Sequence, residues 1–437
     1  MPATARTRAA HPRLEPFGFE RLPVFGLIVA MIVALAAPAF GPLASLVQLL
    51  ALGAILAMRW RSLPGWLLPA LPFLLLPLFA AASALWSEVP GVSARYGVQL
   101  LVTVVAGVVL GRALALRDLV LAVFVGLAIA CLLGLASGRM GASDAGPVMI
   151  GFAGSKNQMG YIALFWMAAA LCVAASATYR PLARILAALA VVPAVFLTVQ
   201  VDSATALVSA VLLAALLAVL AVAAWLGRGG RLFALGAGAL LAIPAVLALP
   251  LIERQAAILQ TDVLGKDERL TGRTLLWEEA DRLIAQRPVI GHGYKAIWLG
   301  PAGKGLLARN RQRDGRAFHF HDTAREIMAD LGIIGLVLFL VPLGLVALRT
   351  AVLLIAAVDA PRAFAAASLF LILLRLRTEL VIAPFMLDTV LLYAVLAALA
   401  AMPLGERAPL PARRALRPMR RAPQHRRPLP QPQRNPA

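Results

Sequence analysis

The chain has 437 residues, 61% of them hydrophobic and only 14% charged, with a formal net charge of +20. A soluble domain carries roughly half apolar and a quarter charged residues, so this composition excludes an ordinary soluble enzyme and points to the bilayer. The positive charge does not point to nucleic acid, because no basic patch with interleaved aromatics accompanies it.

From the N-terminus, Met1–Arg21 is polar and too long for the leader of a clear cleaved signal peptide, so the first apolar run is expected to be a retained helix. Apolar runs then recur at about the 17 to 25 residues needed to cross a bilayer as helix. They are Leu22–Phe40, Pro42–Met58, Leu67–Leu85, Tyr96–Leu110, Leu119–Ala136, Met159–Ala175, Leu182–Val199, Ala204–Leu226, Leu232–Ile252, Leu331–Leu348, Ala363–Leu374 and Leu380–Met402. The expected class is therefore all-α: a polytopic membrane protein of about twelve transmembrane helices. One large loop, 253–327, lies between the ninth and tenth. In domain terms, residues 1–21 are a tail, 22–252 carry helices 1–9, 253–327 the loop, 328–402 helices 10–12, and 403–437 a second tail.

Basic residues set the orientation. Arg59 and Arg61, Arg112 and Arg117, Arg180 and Arg184, Arg228 and Arg231, and Arg349 and Arg362 fall on one side, together with both termini. By the positive-inside rule that side is cytoplasmic and the 253–327 loop faces outward. The Arg/Pro-rich tail after Pro403 is expected to be disordered, serving either as a topology signal or as an attachment to anionic lipid. Cys131 and Cys172 both lie in predicted spans, which leaves the loop without disulfides and excludes redox or zinc-thiolate chemistry.

The loop holds three of the five histidines. Gly272–Gln286 reads as an amphipathic helix, with Leu276, Trp277, Ala280, Leu283 and Ile284 on one face; it either lies on the membrane surface or packs on the bundle. Gly291-His292-Gly293 marks a turn. Lys304, Arg309, Arg311, Arg313 and Arg316 form a basic stretch, either a solvated loop or a surface for anionic groups. A second helix is expected from about His321, capped by Asp322 or Thr323 and running into the tenth span. The positive potential at a helix start, reinforced by Arg325 one turn on, favours a neutral His321 imidazole, the form a general base requires. His319 and His321 lack a third ligand at a metal-binding spacing, and no Asp-x-Asp pair marks a divalent-cation site, so no metal and no cofactor is expected. Arg375, Arg377 and Glu379 sit where charge is costly; an Arg377–Glu379 pair or a cavity lining would account for them.

Four stretches together resemble the O-antigen ligase and polymerase superfamily: Ala84-Leu85-Trp86-Ser87-Glu88-Val89-Pro90, Gly151 to Gly160, Gly265 to Trp277 continuing through Arg287 to Tyr294, and His321 to Glu326 with Gly332-Ile333-Ile334-Gly335. The third is most similar to the exopolysaccharide-polymerase branch. The resemblance implies a metal-independent, inverting glycosyltransferase of the bacterial inner membrane, acting on its periplasmic side with a polyprenyl-diphosphate-linked glycan. It implies an acceptor glycan or glycolipid, membrane lipids and polysaccharide-export proteins as partners. Arg273 matches the family's Gly-Arg-x-x-x-Trp arginine and His321 its loop histidine; these are the expected catalytic residues. Lys156 and Asn157 match the polar stretch before the sixth span, and with Arg269, Arg325, His319 and Arg377 they form the expected diphosphate- and glycan-binding set. Two departures stand out. Asp322 replaces the usual Asn, and Val201-Asp202-Ser203-Ala204-Thr205 lacks the arginine of the ligase branch, so Lys156, Arg269 or Arg325 would supply the second positive charge. A ligase joining O-antigen to lipid A core, and a lipid-linked oligosaccharide transporter, are the alternatives.

Overall fold

The computed structural model describes residues 21–143, 146–238, 240, 268–301 and 318–403, with the side chains of 142–143 and 268–274 excepted. The two terminal tails, most of the expected ninth span and the basic stretch from Lys304 to Arg316 lie outside the described residues.

The regular secondary structure of the described residues is helical apart from one short hairpin. In order the helices are α1 (Leu22–Ala36), α2 (Pro42–Met58), α3 (Leu63–Leu67), α4 (Leu71–Ala82), α5 (Pro90–Ala113), α6 (Leu116–Ala136), α7 (Lys156–Ala175), α8 (Pro181–Gln200), α9 (Ala204–Trp225), α10 (Glu268–Gln286), α11 (Ala296–Leu299), α12 (Thr323–Ala356), α13 (Ala360–Arg375) and α14 (Leu387–Ala401). Six described helices are long and apolar enough to cross a membrane, or seven when the bent pair Pro42–Met58 and Trp60–Leu67 counts as one span. Shorter apolar helices at Leu22–Ala36, Leu71–Leu85 and Leu387–Ala401 stand where three more spans were expected. The protein is thus a multi-pass helical membrane protein.

Two differences from the sequence expectation matter. Between α6 and α7, Met140–Ser143 pairs antiparallel with Gly146–Met149, a small ribbon that the helical period does not reveal. The last helix begins at Leu387 rather than Leu380. Pro384 lacks an N–H and disfavours helix in the residue before it, and Phe385 adopts a left-handed φ of 56°. The freed segment 376–386 is what carries Glu379 into the site.

Helix α7 runs through the middle of the bundle, packed on α6, α8, α9 and α13, with every residue from Met159 to Ala170 buried. Helix α14 packs on α5, and α5 on α4. The amphipathic α10 does not lie free on a membrane: Leu276, Ala280 and Leu283 bury their stripe against Ile297, Trp298, Phe320 and Ala329. Gly291 and Gly332, with φ of 68° and 65°, let the turn after α10 cross a break in α12 at backbone contact; a Cβ on Gly332 would stand 2.2 Å from the Val289 oxygen.

Candidate active site

Three segments meet at Glu379: the first turn of α7, the loop 376–386, and the irregular stretch 318–322 ahead of α12. Thr323 fastens the last two together. Its N–H donates to Leu376 O at 2.9 Å, its hydroxyl donates to Glu379 O at 2.7 Å, and the same hydroxyl accepts from Val381 N–H at 3.1 Å. Asp322 is the N-cap of α12, its carboxylate accepting the Arg325 N–H at 3.0 Å. The residue before that cap, His321, is held at φ 53°, a left-handed conformation that a non-glycine residue adopts at a cost of about 1 to 3 kcal/mol.

The result is a carboxylate–imidazole pair. His321 Nδ1 lies 3.2 Å from Glu379 Oε2, and Asn157 Nδ2 donates to Glu379 Oε1 at 2.8 Å. Ser203, the N-cap of α9, donates its hydroxyl to Asn157 Oδ1 at 3.3 Å and so fixes the amide's orientation. Burial alone would push the Glu379 carboxyl up. The hydrogen bond from His321, with the fields of His321, His319 and Arg375, outweighs burial and holds it below the usual carboxylate range. With Glu379 charged, His321 keeps its proton on Nδ1 and presents the Nε2 lone pair. That is the geometry of a general base oriented and stabilised by a carboxylate.

His319 stands beside this pair, its ring centroid 4.1 Å from that of His321. Its imidazole is lowered to about 3, first by burial and then by the charge of His321, so it is neutral near pH 7. Its Nδ1 accepts the His321 backbone N–H at 3.2 Å, which assigns the proton to Nε2, 3.8 Å from Glu379 Oε2. The expectation that the two histidines lack a third ligand is corrected here. Glu379, remote in sequence, joins them, and ligand atoms of all three lie within 4.8 Å of one another. The His319 tautomer nevertheless opposes metal binding, because a ring whose Nδ1 accepts and whose Nε2 is protonated has no free lone pair facing the cluster.

Beneath the pair, Arg375 (2% exposed) meets Asp388 at 2.5 Å, donates to Gln158 Oε1 at 2.7 Å and sits 4.1 Å from the Tyr161 ring centroid. A second buried cluster supports the histidine segment from the other side. Glu326 accepts from Lys295 Nζ at 2.6 Å, Trp298 Nε1 at 3.1 Å and Phe320 N–H at 2.9 Å.

The sequence-derived residues divide into groups. His321, His319 and Asn157 come together, but Asn157 holds Glu379 rather than facing a ligand. Lys156 is engaged with Asp202, donating to its carbonyl at 3.0 Å, with the carboxylate 3.9 Å away. Arg325 binds Asp281 at 2.9 Å and Asp322 at 3.0 Å and covers the Trp277 ring at 5.1 Å, so its guanidinium clamps α10 to α12. The Asp322 carboxylate is likewise committed to Arg325 and the cap; the acid that faces His321 is Glu379. The expected Arg377–Glu379 pair does not form. Arg377 is exposed, and no described residue pairs with it. Arg269 and Arg273 lie in α10 with their side chains outside the described residues; Arg273 is one turn ahead of Trp277 on the same helix face, and Trp277 Nε1 donates to Phe320 O at 2.9 Å, next to His321. Sequence reasoning missed Glu379 as the partner of His321, and also Gln158 and Asp388. The available signal was the presence of charges at positions 375, 379 and 388 inside apolar sequence.

A family model described as O-antigen ligase matches residues 202–340. The exopolysaccharide production protein ExoQ of Rhizobium meliloti (strain 1021) is 30% identical over 266 residues, which is 60% of this chain and 60% of that protein. Over these residues the chain is similar to the O-antigen ligase family and to ExoQ. Its match spans about three fifths of that relative's length.

Proposed function

We propose that the protein transfers glycan from a polyprenyl-diphosphate donor at the periplasmic face of the inner membrane, building exopolysaccharide or O-antigen by polymerisation. The observation that carries this reading is the Glu379–His321 contact of 3.2 Å, which leaves His321 Nε2 free to take a proton. An acceptor hydroxyl loses its proton to His321 Nε2 as its oxygen attacks the anomeric carbon. The bond from that carbon to the diphosphate oxygen breaks, and polyprenyl diphosphate leaves with the electron pair. Attack opposite the leaving group inverts the anomeric centre. Glu379 stabilises the imidazolium that forms.

The leaving charge needs cations that are not already engaged. Arg377 is exposed beside the segment that Thr323 fastens to α12, and Arg273 lies one turn from Trp277. A guanidinium binds diphosphate through paired hydrogen bonds without a metal, and the tautomer of His319 supports a metal-free site. Lys156 and Arg325 serve as structural ties.

The matched family's description, O-antigen ligase, sustains a second reading in which the acceptor is lipid A core. Likeness to a protein named for exopolysaccharide production favours the polymerase. Reconstitution with a polyprenyl-diphosphate repeat unit separates them. A ladder of products means polymerase, and product appearing only with lipid A core means ligase. Transport of donor at the wild-type rate by His321→Ala, with no transfer by either protein, would replace both with a transporter. Loss of product on adding a chelator would refute the metal-free chemistry.

A further inference from the structure

The stretch Ala84–Pro90 carries part of the family likeness, yet no step of the reaction uses it. Part of it is an anchor. Trp86 Nε1 donates to Ile290 O at 3.1 Å, and Arg287 Nη1 donates to Trp86 O at 3.3 Å. The Tyr294 N–H donates to Ser83 Oγ at 2.9 Å just upstream. These bonds seat the turn after α10 against the start of α5.

Beyond the anchor a groove opens, with a cavity volume of about 550 Å³, lined chiefly by Val89, Val92, Arg95, Tyr96 and Leu299. Small-molecule sites run from about 300 to 1,000 Å³. The Arg95 guanidinium is exposed and stands 5.6 Å from the centroid of the half-buried Tyr96 ring. A flat aromatic ring beside a planar fork of N–H donors matches a sugar, which offers a face of C–H groups and a rim of hydroxyls. A polyprenyl chain would strip water from the guanidinium and return no hydrogen bond. Packed side chains connect the groove wall to the histidines. Leu299 follows Trp298, whose ring lies 5.6 Å from Phe318, and Phe318 lies 5.4 Å from His321.

We propose that this groove is a saccharide subsite, holding sugars of the glycan that do not react while the anomeric carbon sits at His321. The inference rests on the transferase reading above. The oligosaccharide belongs either to the donor or to the acceptor, and kinetics distinguishes the two.

The probe is the free oligosaccharide released by mild acid from the donor, titrated onto the full chain in nanodiscs. Wild type and His321→Ala should bind it equally. Tyr96→Ala, and Leu299→Trp that fills the groove, should weaken binding about tenfold, while Tyr96→Phe should bind as wild type. In turnover, Tyr96→Ala should raise KM with kcat changed less than twofold. A rise confined to acceptor KM assigns the acceptor, and one confined to donor KM assigns the donor; either supports the subsite. Equal binding by wild type and both groove variants, no binding by wild type, or displacement of the sugar by sugar-free polyprenyl phosphate would each overturn it. Binding that depends on Tyr96 in a protein that forms no product would support the subsite and sink the transferase reading instead.

Discussion

Glu379→Gln is the sharpest perturbation of the proposed base. The substitution keeps the size of the side chain and one acceptor oxygen but removes the charge. At 3.2 Å and an effective dielectric near 20, the attraction between an imidazolium and a carboxylate is roughly 5 kcal/mol. That figure is a ceiling on what the charge adds when His321 takes up its proton. Glutamine also offers an NH₂ group towards Nδ1, which would move the imidazole proton to Nε2 and remove the base. Losing tautomer and charge together should cut kcat about a thousandfold, or roughly 4 kcal/mol of barrier, inside the ceiling. Donor KM should hardly move, because Glu379 faces histidines and Asn157 rather than substrate. The assay is single-turnover transfer from a labelled donor, with thermal melting to confirm the fold. Combined with His321→Ala, the substitution should cost little more than His321→Ala alone, since residues acting as one unit are not additive. A folded Glu379→Gln protein within tenfold of wild-type kcat would refute the carboxylate's role.

Arg377→Gln should leave the melting temperature within about a degree or two, as an exposed residue with no ionic partner among the described residues does, yet lower kcat/KM for the donor by about ten- to a hundredfold; Arg325→Gln should do the reverse, losing stability first because it releases Asp281, Asp322 and Trp277. Gly332→Ala should cost at least about 2 kcal/mol in melting or denaturant assays, because its φ is left-handed and its Cβ would overlap the Val289 carbonyl. Removing one partner of the buried pair, as in Asp388→Asn, should cost about 3 to 5 kcal/mol, with Arg375→Met/Asp388→Leu costing less than the sum of its two single changes. Acid should destabilise the protein through His319: its folded value of about 3 lies below the ordinary 6.5, so below pH 6.5 the unfolded chain binds a proton that the folded chain refuses. Stability then falls as pH drops from about 6.5 towards 3, and a His319→Gln variant should show a shallower slope in melting temperature over that range. The depressed Glu379 carboxyl acts in the same direction below the ordinary carboxylate range, its contribution being present above that range and lost on further acidification.

Much of the architecture could be read because apolar run length reports helix length directly. Helices α2, α7 and α9 fall within a few residues of their expected spans, and the α10 stripe of Leu276, Ala280 and Leu283 is buried as its period requires. Run length says nothing about where an apolar segment is extended rather than helical. Leu380–Ala383 reads like the start of a span, and only the consequences of Pro384 and Phe385 turn it into a loop. The same limit hid the base's partner. His321 stands out by its neighbours in sequence, but Glu379 reaches it only because Thr323 fastens two segments that are far apart in the chain. Ionic partners misled for a related reason. Arg377 and Glu379 are close in sequence and opposite in charge, yet in the fold Glu379 turns to the histidines and Arg377 turns away.

That separation bears on how the site manages charge. A transferase acting on a diphosphate must offer cations to the leaving group without letting its own carboxylates capture them. Around His321 the acids are all engaged. Asp388 holds Arg375, Asp322 and Asp281 hold Arg325, Glu326 holds Lys295, and Glu379 holds the imidazole pair. Each of these cations is fixed by a carboxylate and cannot move to a ligand without abandoning a partially or fully buried partner, which is expensive. Arg377 has no such tie among the described residues, and its side chain is already exposed, so binding a diphosphate there breaks no ion pair of the described residues. If the donor charge were instead held by Arg325, Asp281→Asn would free that guanidinium and tighten donor binding. On the present reading Asp281→Asn loosens the α10–α12 clamp and leaves donor affinity unchanged or weaker, so tighter donor binding in Asp281→Asn would overturn the assignment of Arg377.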